Sequence, residues 1–136
     1  MTESPRKAIA ARLIAAAGQG DADAVAALIA DDFVLEQMVH DPDAGGSAAG
    51  TSYNRASYLE LLGYVRQLTR DGMNLAIERM VEEDGEVAVF GTSDAVSPGG
   101  WHYRNAYCWL LTFREGKVLR MREYYDTALG ARLLEG

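Results

Sequence analysis

The run WHYRNAYCWLLTFREGKVLRMREYYDTAL, Trp101 to Leu129, decides the fold. It reads as two long strands folded back on each other through a tight turn at Arg114-Glu115-Gly116-Lys117. On the first strand Trp101, Tyr103, Asn105, Tyr107, Trp109, Leu111 and Phe113 recur at spacing two and so share one face. A wall of rings with polar breaks suits a pocket for a mostly apolar ligand, and it equally suits a plain sheet core. The second strand runs into Asp126, where a helix over Thr127–Leu134 begins. Asp126 is therefore either an acid or base at the end of the wall or the cap of that helix.

Working outward, the preceding segments are strands too. Met73, Leu75, Ile77, Arg79 and Val81 alternate with more polar residues, Asp84-Gly85 is a hairpin turn, and Val87 to Val96 forms the next strand. Ser97-Pro98-Gly99-Gly100 then turns into the aromatic strand. The N-terminal half reads as helices. The first spans Pro5 to about Ala17, with Ile9, Leu13 and Ile14 as its stripe and Gly18 and Gly20 at its end. The second is capped by Asp21 and carries Val25, Leu28 and Ile29. Asp31-Asp32 closes it and opens an extended run from Phe33 to Val39. Asp41 to Ser52 has loop composition throughout and is expected to be a flap. A third helix starts at Ser52 or Asn54 and runs to about Thr69, with Tyr58, Leu61, Leu62, Val65 and Leu68 along one side.

The expected order is α-α-β-α-β-β-β-β, an α+β fold in one domain spanning residues 1–136. A strongly bent, mostly antiparallel sheet wrapped around three helices buries both sets of stripes, and such a cone leaves a deep apolar hole at its wide end.

Composition narrows the function. A length of 136 residues fits a single core. A net charge of −7 with no basic run excludes nucleic acid and disfavours an anionic membrane surface. No apolar run approaches the ~20 residues that span a bilayer. Arg6–Gly18 mimics a signal peptide only faintly, because Arg12 interrupts its apolar run and the pattern continues as an amphipathic helix. Cys108 is the single cysteine, which rules out an internal disulfide and points to the cytoplasm. It shares the outward sheet face with Ala106 and Leu110, a face apolar enough to predict a homodimer.

Gly20–Asp32 (GDADAVAALIADD) and Arg114–Thr127 (REGKVLRMREYYDT) carry a family resemblance. The first resembles the second helix and strand entry of the nuclear-transport-factor-2-like (cystatin-like) cone. The second resembles the closing hairpin and terminal acid of SnoaL-like polyketide cyclases, ketosteroid isomerases and limonene epoxide hydrolases. The resemblance implies cofactor-free acid–base chemistry on a hydrophobic, oxygenated small molecule, of isomerase, cyclase or dehydratase type. At the ketosteroid isomerase positions this chain has Gln37 for the base, Leu13 for the oxyanion-hole tyrosine and Trp109 near the protonated aspartate, so that chemistry is not expected. The epoxide hydrolase pattern is matched at Asp126 and Asp94, with Gln37 in place of its Asn, Leu35 in place of its Tyr and Thr92 in place of its Arg. The polyketide cyclase acid/base falls close to Glu123.

The candidate catalytic residues are thus Asp126, Asp94, Gln37 and Glu123. Strand parity sets Asp126 and Glu123 on opposite faces, so only one of the two faces the pocket unless a bulge intervenes. The residues expected to line the pocket or donate to a developing oxyanion are Trp109, Tyr107, Asn105, Tyr103, Trp101, Tyr58, Tyr53 and, at the flap, His40. No metal site and no cofactor is expected. A binding protein that only sequesters such a ligand is the alternative reading. A third is an assembly module whose interior is filled.

Overall fold

Ser4 opens the first helix. Its hydroxyl accepts the Lys7 N–H at 3.1 Å, and Pro5 takes the first turn of α1 (Pro5–Gly18), where a missing N–H costs nothing. The computed structural model describes residues 4–38 and 51–134; His40 and all of the expected flap before Thr51 lie outside the described residues. The elements that follow α1 are α2 (Ala22–Ala26), β1 (Ile29–Gln37), β2 (Thr51–Asn54), α3 (Arg55–Leu68), β3 (Ala76–Glu83), β4 (Glu86–Thr92), β5 (Ala95–Val96), β6 (His102–Tyr103), β7 (Ala106–Arg114), β8 (Lys117–Tyr125) and α4 (Thr127–Leu134).

The fold is α+β, as expected, with four helices and a large curled sheet among the described residues. Its strand order is β2-β1-β8-β7-β4-β3, with β1 and β8 parallel and every other neighbour antiparallel. A separate ribbon pairs β5 with β6. The core fills the hollow of the sheet. Leu13 and Ile14 of α1 and Tyr58 and Leu62 of α3 pack against Phe33, Leu35, Val87, Val89, Leu111 and Met121 from the strands. Burying an aliphatic side chain of this kind stabilises the fold by about 1.5–3 kcal/mol.

Several expectations give way to the structure. α2 is a single short turn, and Ile29 begins β1 instead of closing a helical stripe; Asp31-Asp32 lies within that strand. Thr51 and Ser52 belong to β2, an edge strand paired with β1. The strand expected over Val87–Val96 stops at Thr92, because Ser93 and Asp94 leave the sheet before the β5 ribbon. The aromatic strand breaks at Arg104-Asn105 and is two strands, β6 and β7.

The most consequential difference is a bulge. Arg114 pairs with Lys117 and Phe113 with Val118, yet Thr112 pairs with Arg120, which leaves Leu119 as the extra residue. Leu119 is half-buried, whereas Val118 and Met121 are both buried on the inner face. A hairpin without the bulge would set Arg122 across from Trp109. With it, Glu123 takes that place.

Candidate active site

Three neighbouring strands set up one row of side chains. Gln37 on β1 pairs with Glu123 on β8, and Glu123 pairs with Trp109 on β7. Side chains of paired residues share a face, so all three converge. The Glu123 carboxylate accepts the Trp109 indole N–H at 2.8 Å on one oxygen and the Gln37 amide N–H at 3.1 Å on the other. One row further along β7, Tyr107 pairs with Tyr125, and its ring stacks on Trp109 with centroids 4.9 Å apart and planes 6° from parallel. In the opposite direction the row is Leu35, Met121 and Leu111, all buried.

Above these rows lies a cavity of about 420 Å³, within the range of small-molecule sites. Leu61, Leu62 and Val65 of α3 form one wall, Ile14 of α1 another, and Gly130 and Leu133 of α4 reach the site from the C-terminus. Glycine is required at two close approaches. A Cβ on Gly130 would stand 2.7 Å from the Tyr125 ring, and one on Gly91 would meet the Ala76 carbonyl at 2.6 Å and the Trp109 ring at 3.2 Å. α4 packs on Tyr125 through the first, and the Trp109 ring comes close to β4 through the second.

Glu123 is the one carboxyl group lining this cavity among the described residues. Burial pushes its pKa up, and the N–H groups of Trp109 and Gln37 pull it part of the way back. Burial also pushes up the hydroxyls of Tyr58, Tyr103 and Tyr107, and Tyr125 to about 12, so these tyrosines remain protonated donors. Tyr103 and Tyr107 meet hydroxyl to hydroxyl at 2.7 Å.

The other candidates sit elsewhere. Asp126 falls one step past Tyr125, on the outward parity, and is exposed. Its Oδ1 accepts the N–H groups of Ala128 and Leu129 at 3.0 and 3.2 Å, so it is the cap of α4. The bulge at Leu119 turns Glu123 inward and Asp126 outward, which corrects the expectation that Asp126 enters the pocket. Asp94 is exposed as well, 3.4 Å from the Arg104 guanidinium; with Asp126 it borders a separate shallow cleft outside the cavity. Gln37, Tyr53, Tyr58, Tyr103, Tyr107 and Trp109 line the cavity. Asn105 stands behind Tyr103, to which it is hydrogen-bonded. Trp101 packs outside, 5.8 Å from the Tyr103 ring and beneath the Arg132 guanidinium, and does not line the main cavity. The contribution of α4 was missed, although Leu129 and Leu133 at spacing four are the signal of a packed helix face. Ser93 was missed too, and a strand-end serine carries no such signal.

The curled sheet encloses a cavity with apolar walls and, among the described residues, one carboxyl group, an arrangement with room for a small molecule beside an acid–base group. Residues 10–121 match the SnoaL-like domain, and the chain belongs to that family. The fold is NTF2-like. Among solved structures, TerC co-crystallised with polyporic acid is 25% identical with a TM-score of 0.76, over 98% of this chain and 100% of that one. IdmH, a putative polyketide cyclase from Streptomyces antibioticus, is 19% identical with a TM-score of 0.74, over 98% and 100%. An LEH-like epoxide hydrolase from M. tuberculosis is 18% identical with a TM-score of 0.74, over 97% and 91%. Comparison with curated proteins finds no match to this chain. No helix among the described residues is long and apolar enough to cross a membrane.

Proposed function

We propose that this chain is a cofactor-free acid–base catalyst of isomerase, cyclase or dehydratase type, acting on a hydrophobic oxygenated small molecule, with Glu123 as the proton-transferring group. The observation that carries this reading is the one carboxyl group that, among the described residues, lines an apolar cavity, gripped on both oxygens by the N–H groups of Trp109 and Gln37. A carboxyl raised toward neutral pH by burial is a stronger base when ionised and a usable acid when protonated. It can take a proton from carbon beside a carbonyl and return it elsewhere. Gln37 and Trp109 hold the carboxylate in place and temper its basicity. Membership of the SnoaL-like family and the ligand-bound TerC structure support a small-molecule substrate. The exposed positions of Asp94 and Asp126 weigh against the epoxide hydrolase alternative, which needs both acids at the substrate.

The test is deuterium exchange into flat, enolisable ketones in heavy water, with binding followed by tryptophan fluorescence. Wild type should catalyse exchange, and Glu123→Gln should bind the same ketones without exchanging them. Exchange that survives Glu123→Gln removes this assignment. Binding with no exchange by wild type favours the non-catalytic binding protein.

The outward face of the sheet supports the expected homodimer. Phe90, Cys108 and Tyr124 form one row across β4, β7 and β8, and Val81, Ala88 and Leu110 form the next. Val81, Phe90 and Tyr124 are each about two-fifths exposed, at 41%, 40% and 43%, and such a patch favours a second copy. Phe90→Glu should then lower the mass measured by sedimentation to that of one chain; an unchanged mass would place the contact elsewhere. A cytoplasmic location agrees with the lone thiol of Cys108, which burial pushes up and makes unreactive.

A further inference from the structure

Asn105 has every hydrogen-bonding position filled. Its Oδ1 accepts the Ala106 N–H at 2.8 Å and the Asp126 N–H at 3.2 Å, and its Nδ2 donates to the Asp126 carbonyl at 2.9 Å and to the Tyr103 hydroxyl at 2.8 Å. Turning the amide over would face its NH₂ group to two N–H groups and its oxygen to a carbonyl, so the orientation is fixed. Tyr103 therefore accepts a hydrogen bond from Asn105. Among the described residues, its own proton then has one acceptor, the Tyr107 oxygen at 2.7 Å. The opposite direction would leave the Tyr103 proton without a partner in a group only 2% exposed. Among the described residues, the Tyr107 proton is then left with Ser93 Oγ, which is 3.4 Å away and already accepts the Asn105 N–H at 3.0 Å.

From this one-way chain we infer that Tyr107 is the donor to a ligand oxygen in the cavity, that Asn105 and Tyr103 are the positioning residues that aim and polarise it, and that the ligand is an enolisable carbonyl compound or its phenolic equivalent. The inference rests on the reading of Glu123 as the acid–base group. Tyr107 and Trp109 are two residues apart on β7, so the hydroxyl chain and the Glu123 row are separated by about 7 Å along the strand. One flat ligand spans both. Its C–H proton passes to a Glu123 oxygen, the C–H electron pair becomes the C=C bond, and the carbonyl π pair moves onto the oxygen that Tyr107 donates to. Where a C=C adjoins that carbon, the oxygen pair then re-forms the C=O, the enolate π pair becomes the conjugated C=C, and the π pair of the original alkene takes the proton back from Glu123 at its far carbon, an isomerisation in which atoms and charge balance. A donor polarised by a chain of hydroxyls strengthens as the oxygen gains charge.

The experiment uses a nitronaphthol, whose phenol and phenolate forms absorb at different wavelengths, and reads the preference of the full-length protein for phenolate over phenol. Tyr107→Phe should reduce that preference about tenfold, the loss of one hydrogen bond to a charged group. Tyr103→Phe should reduce it in the same direction by less, with Tyr107 still in place. Glu123→Gln should increase it, because a nearby negative charge is removed. A preference unmoved by Tyr107→Phe but raised by Glu123→Gln overturns this inference and leaves the acid–base reading intact. A preference lowered by Tyr107→Phe but unmoved by Glu123→Gln supports this inference and counts against Glu123. A wild type that binds neither form overturns both.

Discussion

Replacing Trp109 by phenylalanine tests the site without any knowledge of the substrate. The ring wall survives in reduced form, but the indole N–H that reaches Glu123 at 2.8 Å is gone. That bond favours the ionised carboxyl, and a hydrogen bond to a charged group contributes about 1.5–3 kcal/mol. Since about 1.4 kcal/mol corresponds to one pH unit in a titration, the Glu123 midpoint should move upward by about one to two pH units. Burial already raises that midpoint, so wild type and variant should both titrate above an exposed glutamate, with the variant higher. The assay is the carboxyl ¹³C resonance of Glu123 followed against pH in glutamate-labelled protein, with Glu123→Gln identifying the signal. Gln37→Leu removes the longer bond, at 3.1 Å, and should move the midpoint in the same direction. A midpoint that stays fixed, or falls, in Trp109→Phe would refute the geometry and with it the claim that Trp109 and Gln37 hold the carboxylate.

Three further outcomes follow from the same structure. Asp126→Asn should leave activity and folding nearly unchanged because asparagine caps helices as well as aspartate, whereas Asp126→Ala should cost about 0.5–2 kcal/mol in a denaturant titration. Glu123→Gln should gain stability over wild type at pH 8 and none at pH 4. A carboxyl with a raised folded pKa contributes its full stability below its unfolded pKa, about 4.3, and loses it as pH rises through the folded value; equal gains at both pH values in chemical denaturation would contradict the burial. Gly130→Val should force Tyr125 off its position, at a cost of about 1–3 kcal/mol. It should also weaken binding of hydrophobic phenols by fluorescence titration.

Local chemistry announced most of the scaffold. Ser4-Pro5 starts α1, Asn54 caps α3 through the Ser57 N–H, and Glu115-Gly116 turns the closing hairpin, all through short-range rules that act within a few residues. The failures share one cause, which is that they depend on partners far along the chain. Ile29 suits a helical stripe until β8 offers it Val118 as a parallel neighbour. Thr51-Ser52 has loop composition but pairs with β1. Asn105 ends a strand because its side chain bonds the Asp126 backbone, twenty-one positions away. The site was legible as a set of residues but not as an arrangement. Gln37, Glu123, Tyr107 and Trp109 were all candidates, and the choice between Glu123 and Asp126 turned on one inserted residue that alternation cannot reveal.

That residue, Leu119, makes the chemistry of the interior depend on strand register as well as on residue identity. Were Leu119 drawn into the ladder opposite Thr112, the end of β8 would slip by one residue and exchange its two faces, sending Glu123 to solvent and turning Arg122 and Tyr124 toward Trp109 and Tyr107. A scaffold of this kind can therefore exchange a proton-transferring acid for a cationic group through a one-residue slip in strand register, with Gln37, Tyr107 and Trp109 left in place on the neighbouring strands.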